Sequence, residues 1–217
     1  MDRIHLLAKT CINRQVQALS GLYSVIETDE YKIIVDLITE YASRNYKSRV
    51  MIAGVGKNSN IASKISETMA SLGIPSFYLN ISHCGHGDYG FIGHEDVIIH
   101  ISRSGTTREM VEAMAHIKVI RPHVNQILIH CKKDKPKNPS ANVELFIGAV
   151  AEGDEFGLAP TTSTTALLCI LDCISVQVSH NIGFKRFDFL KLHPSGALGE
   201  LLAAEVVANQ AIDKTNP

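Results

Sequence analysis

The sequence predicts an α/β protein, a three-layer αβα sandwich around a five-stranded parallel sheet. Three observations carry this. Five short runs, Arg49–Ala53, Ser76–Leu79, Val97–Ile101, Gln126–His130 and Val143–Ile147, are spread along the chain. Several are nearly continuous in apolar residues, as strands covered on both faces must be. Amphipathic helical stripes separate them, and strands joined through helices pair in parallel by right-handed crossovers. At 217 residues the chain suits one ordinary core, burying roughly 70–75% of its unfolded surface, and needs neither disulfide nor metal to fold.

Taken in order, the first 48 or so residues are helical. Ile33, Ile34, Leu37, Ile38 and Tyr41 form one apolar stripe, for which Asp29 is the expected cap. The strand at Arg49–Ala53 stops at Gly54. A helix with Ile61, Ile65, Thr68, Met69 and Leu72 on one face follows, broken by Gly73 and Pro75 before the strand at Ser76–Leu79. After the third strand, Met110, Met114 and Ile117 mark the next helix. The segment Ala166–Val178 is apolar nearly all round, which predicts a helix buried centrally or between subunits. Its Cys169 and Cys173 and the strand residue His100 read as core residues. Lys132–Lys137 reads as a solvated connection.

Composition narrows the function. Lys and Arg number 21 against 22 Asp and Glu, a net charge of −1, without the basic footprint of a nucleic-acid binder. Aromatic residues make up only 6% and tryptophan is absent, so base-stacking platforms are not expected. No run approaches the roughly 20 apolar residues of a membrane span, and residues 1–9 lack the signal-peptide pattern. Five scattered cysteines fit a reduced, cytoplasmic setting.

In parallel α/β sheets ligands bind beyond the carboxyl ends of the strands, so the turns there are where chemistry is expected. Gly54-Val55-Gly56-Lys57-Asn58-Ser59 matches neither the dinucleotide fingerprint nor the P-loop. It is a glycine-rich anion cradle with one cation at a helix start, or a plain tight turn. Ser102-Arg103-Ser104-Gly105-Thr106-Thr107-Arg108-Glu109 suits a phosphate, whose several acceptor oxygens match hydroxyls and free helix amides. Thr106 and Glu109 also have the spacing of a capping box, which leaves Ser102 and Ser104 unexplained. Thr161-Thr162-Ser163-Thr164-Thr165 offers more hydroxyls than one helix cap needs, and Glu152-Gly153-Asp154-Glu155 ahead of it is a solvated loop or a carboxylate aimed at a sugar. His83-Cys84-Gly85-His86-Gly87-Asp88 has permissive metal spacing but no second ligand cluster, so no metal site is assigned. His193, before Pro194-Ser195-Gly196-Ala197-Leu198-Gly199, reads unaided as a cap or surface residue ahead of a final helix.

In this order these segments resemble the sugar isomerase (SIS) domain family and, within it, the arabinose 5-phosphate isomerase group. The likeness runs from about Val50 to Leu202 and rests on Gly54–Lys57, His86-Gly87-Asp88, Ser102–Gly105, Leu158–Thr164 and His193–Gly199. It implies a flavodoxin-like SIS fold, one domain over 1–217 with N-terminal helices to about 46 and a sugar-phosphate-binding core over about 47–205. It also implies a homotetramer with sites shared between subunits, converting D-ribulose 5-phosphate to D-arabinose 5-phosphate for Kdo-type sugars of lipopolysaccharide or capsule. Ser102, Ser104 and Thr107 would hold the phosphate, with help from Thr161, Thr162, Ser163 and Thr164. Gly54, Gly56 and Ser59 would form the substrate loop. The catalytic candidates are His193, Glu152, Lys57, His86 and Glu109, with His193 as base and Glu152 as its partner or alternative. No metal or organic cofactor is implied; the partner is a small sugar phosphate. Only 18 residues follow Gly199, so the form expected lacks the CBS pair that many members carry.

Asn58, the Thr106-Thr107-Arg108 stretch and Phe156-Gly157 depart from the group's usual residues. An isomerase for another ketose phosphate, or a non-catalytic sugar-phosphate or nucleotide-sugar sensor, are the alternatives.

Overall fold

In the computed structural model, which describes residues 3–44 and 47–194, two helices, α1 (Arg3–Val25) and α2 (Asp29–Ala42), precede the sheet. Thr28, one residue earlier than expected, caps α2: its hydroxyl accepts the Tyr31 amide at 3.3 Å. Asp29 instead sits in the first turn, where its charge meets the positive end of the helix dipole.

Strands β1 (Val50–Gly54), β2 (Ser76–Leu79), β3 (Val97–Ser102), β4 (Asn125–His130) and β5 (Val143–Phe146) alternate with α3 (Lys57–Ser71), α4 (Ile81–Cys84) and α5 (Arg108–Ile120). Two helices follow, α6 (Thr162–Asn181) and α7 (Arg186–Leu192). The sheet order is β2-β1-β3-β4-β5 and all four pairings are parallel. The five strand predictions match to within a residue or two. The Ser195–Gly199 motif and the helix expected there lie outside the described residues.

Because successive strand residues point to opposite faces, Ile52, Ile99, Ile127 and Leu145 join the core beneath α2, α3 and α6. Met51, Ala53 and Ile98 pack with Ala113 and Ile117 of α5 on the other face. At the amino end of the sheet the buried Asp96 accepts the Arg49 amide at 2.9 Å, Arg49 Nη2 at 2.8 Å and the Gly93 amide at 2.7 Å. That lock joins β1 to β3 at the end away from the functional turns.

The expectation for the apolar helix is half met. Ala166, Leu167, Ile170, Leu171, Ile174 and Val178 of α6 are fully buried, whereas Val176 is 61% exposed. Cys169 is half-buried and packs against the core, whereas Cys173, one turn further along, is exposed and not a core thiol. With Leu19, Ile26 and Tyr31 they line a groove of about 580 Å³ between α1, α2 and α6. By length and composition alone α6 would cross a membrane, but its inner face is the core of this fold.

Candidate functional site

The sheet order reverses between β1 and β3, and the turns that leave their carboxyl ends lie side by side there, the usual ligand crevice of such sheets. The first turn needs its glycines. A Cβ on Gly54 would stand 2.6 Å from the Asn58 carbonyl oxygen, so only glycine lets the first turn of α3 fold back so closely onto the strand. Gly56, at φ +62°, ends the turn. Lys57 opens α3 and is exposed, and Ser59 Oγ donates to the Gly56 carbonyl at 2.7 Å.

The second turn is a knot of hydroxyls. Ser102 Oγ lies 2.9 Å from Thr107 Oγ1 and 3.5 Å from Ser104 Oγ. Ser102 Oγ accepts the Gly105 amide at 3.0 Å, and Ser104 Oγ accepts the Thr106 amide at 3.1 Å. The first-turn amides of α5 have no carbonyl in their own helix to bond, and no capping side chain takes them. The Thr106–Glu109 capping box, the rival reading of this turn, is not made: α5 begins at Arg108 with Thr107 as cap residue, and Glu109 is exposed in the first turn. This leaves the hydroxyls and amides available to an anion.

Gly105 (φ +66°) is held from behind. A Cβ there would meet Lys135 Cε at 2.6 Å and His130 Cβ at 3.2 Å. Lys135 is the exception in a loop read as solvated: its side chain is only 2% exposed, with Nζ 2.6 Å from Glu144 Oε2. Glu144 also accepts the Asn138 amide and lies 3.5 Å from His130 Nε2. Burial alone would raise its pKa; the Lys135 and Asn138 hydrogen bonds and the charge of Lys135 bring it below the usual range.

The threonine cluster is organised by Glu152, which is buried. Its Oε2 accepts the amides of Thr161 and Ser163 at 2.9 and 3.2 Å, and its Oε1 accepts Ser163 Oγ at 2.5 Å. Arg103 Nε lies 3.0 Å from the same Oε1. Burial would raise the Glu152 pKa, but the Ser163 and Thr161 hydrogen bonds and Arg103 outweigh it and hold the carboxylate below its ordinary value. A carboxylate so occupied fits poorly as an alternative proton-transferring base. It caps α6 from outside, in place of the expected hydroxyl cap: Thr161, the cap residue, makes no side-chain cap bond. Thr161 Oγ1 accepts the Gly153 amide at 2.7 Å, and Thr164 and Thr165 donate back to the Thr161 carbonyl. Among the described residues only Thr162 of this cluster has a buried hydroxyl without a partner. From α1, Arg14 donates to the carbonyls of Glu152 and Asp154, the latter at 3.1 Å, and so latches the loop.

His86 is exposed in the loop after α4. His193, the C-cap of α7, stacks on Phe189 at a ring separation of 3.8 Å and places Nδ1 2.9 Å from the Phe189 carbonyl. Its described contacts lie within its own helix, and none joins it to Glu152. The fold thus brings together the glycine turn, the serine turn and the threonine cluster. Reasoning from residue types alone missed Arg103, Lys135 and Arg14; a cation between two serines was the one readable signal.

The family model for the SIS domain matches residues 44–176. Arabinose 5-phosphate isomerase KpsF of Escherichia coli O6:H1 strain CFT073 is 34% identical over 192 residues, 88% of this chain and 57% of the relative. The chain thus spans little more than half the length of such curated relatives. Among solved structures, the c3406 protein of E. coli CFT073 in complex with arabinose 5-phosphate superposes with a TM-score of 0.77 at 29% identity, covering 89% of this chain and 100% of that one. A candidate phosphosugar isomerase involved in capsule formation from Bacteroides fragilis gives 0.78 at 33%, covering 88% and 97%.

Proposed function

The chain belongs to the SIS domain family, and on that premise we propose that it is an aldose–ketose isomerase interconverting D-ribulose 5-phosphate and D-arabinose 5-phosphate. The observation that carries the reading is the Ser102–Ser104–Thr107 hydroxyl knot at an uncapped helix start, set beside the Lys57 turn. The structural relative solved with arabinose 5-phosphate and the KpsF relative support the same sugar.

The reaction moves a proton between adjacent carbons through an enediol. A base near neutrality suits it, and imidazole starts near ~6.5. His193 takes this role, reaching a neighbouring subunit's site rather than its own Glu152. Lys57 stabilises charge developing on oxygen and, with His86, polarises or protonates the carbonyl and ring oxygens; Glu109 is a further catalytic candidate. The enzyme works as a cytoplasmic homotetramer, a reading supported by five unpaired thiols and by the apolar groove on α1, α2 and α6. Its product enters Kdo-type sugars of lipopolysaccharide or capsule.

Purified protein incubated with D-ribulose 5-phosphate is expected to yield D-arabinose 5-phosphate, with His193→Ala losing at least a hundredfold in kcat. Absence of that product from wild type would overturn the proposal, and turnover of another ketose phosphate in its place would redirect it.

A further inference from the structure

We propose that Arg103 contacts the substrate as an anion ligand and that Glu152 is the residue that positions it. This rests on the reading of the crevice as a sugar-phosphate site. Arg103 stands in the serine turn itself, and its backbone is fixed: its carbonyl accepts the Cys131 amide at 3.0 Å, beyond the end of β4. Its side chain is anchored at one point, with Nε 3.0 Å from Glu152 Oε1.

The anchor cannot swing away. Glu152 is fully buried and accepts from Thr161 and Ser163 as well. The guanidinium is a planar fork, and the ion pair with Glu152 holds its Nε edge against the buried carboxylate. Yet 47% of the Arg103 side chain stays exposed. Among the described residues Nη1 and Nη2 have no hydrogen-bond partner. The cation therefore links the two hydroxyl-bearing turns and keeps two donor nitrogens for something else.

Other arginines show what the alternatives look like. Arg49 is a structural lock, with Nε, Nη2 and its own amide on Asp96 and a further bond to the Phe91 carbonyl. Arg108 is a surface arginine, 87% exposed and paired one turn along with Glu112. Arg103 is neither saturated nor free. A guanidinium ion-paired to a rigid buried carboxylate, with its two terminal nitrogens unengaged by any described residue, is preorganised for bidentate contact with a phosphoryl group. A buried carboxylate already engaged by its neighbours is suited to aiming this cation rather than to taking a proton.

The test uses full-length protein, D-ribulose 5-phosphate as substrate and inorganic phosphate as probe. Arg103→Met is expected to raise KM at least tenfold and to weaken inhibition by inorganic phosphate to a similar degree, with kcat changed less than threefold. Arg103→Lys keeps the charge but loses the fork, and should raise KM about threefold or more. Glu152→Gln should raise KM with kcat largely kept; a hundredfold loss of kcat at unchanged KM would make Glu152 a base and overturn its positioning role. A KM within twofold of wild type in Arg103→Met overturns the arginine contact, and if that variant does not fold, the same result in Arg103→Lys does so. If wild type turns over no sugar phosphate, the functional reading fails separately. The Arg103 contact is then read from stabilisation by inorganic phosphate, expected in wild type and lost in the variants; its absence in wild type overturns the contact.

Discussion

His100 occupies the middle of β3 with no exposed surface, its Nε2 3.0 Å from Gln126 Oε1. Burial lowers its pKa to about 4, partly offset by the hydrogen bond that its ring N–H donates to Gln126 Oε1. His130, buried beside Lys135, is lowered as well, first by burial and then by that charge. A histidine kept neutral in the fold costs stability in acid. Above about 6.5 neither state binds the proton; below it the unfolded chain does and the native chain does not, so stability falls until pH reaches the folded value. Urea unfolding from pH 7.5 to 4.5 should show wild type losing on the order of 2 kcal/mol through His100. In His100→Gln, which keeps a polar partner for Gln126, the loss should be visibly smaller. Superimposable profiles for the two proteins would refute this. That His100 belongs to the core was readable from its apolar neighbours. The part played by Glu152 was not, because its partners Thr161, Ser163 and Arg103 lie 9 to 49 residues away and only the folded chain brings them together.

Among the elements, the strands were the most legible, since a parallel sheet covered on both faces demands continuous apolar runs that few other structures need. The loop Lys132–Asn138 was the least legible. Four of its seven residues are lysines, and charge content predicts solvent; what buries one of them is Glu144 across the turn and the bare backbone of Gly105 beneath it. The pairing has a stability consequence. Lys135→Met keeps most of the stem over Gly105 but leaves Glu144 without its cation, which should cost about 3 kcal/mol, towards the lower end for a buried pair because Glu144 is partly exposed. Removing both charges in Lys135→Met with Glu144→Leu should recover part of that loss. Thermal melts of the two variants check both signs, and a double variant less stable than the single one would contradict the ion-pair account. The two-sidedness of α6 was also only half readable: its composition announces burial, but not that one face meets the sheet while the other carries the exposed Val176 beside the groove shared with α1 and α2.

At the scale of the whole molecule, the sheet keeps its lock and its chemistry at opposite ends, Arg49–Asp96 at the amino edge and the glycine, serine and threonine turns beyond the carboxyl edge. Leu19, Ile26, Cys169 and Val176 form an outward apolar face on the side of α6. In the proposed assembly this face is covered by another copy. Val176→Glu should then lower the sedimenting mass while leaving the circular dichroism of the subunit unchanged; an unaltered mass would remove this face from the interface.

The strand order also has a bearing on how the chain is made. After β1 and β2 have paired, β3 adds beside β1, β4 beside β3 and β5 beside β4, so the sheet can widen at one edge in the order in which a ribosome delivers it. The helix that supplies much of the core beneath that sheet, Thr162–Asn181, arrives only after all five strands. Until then Ile52, Ile99 and Ile127 lack their cover from α6, an interval in which a nascent chain is exposed to aggregation and to capture by chaperones.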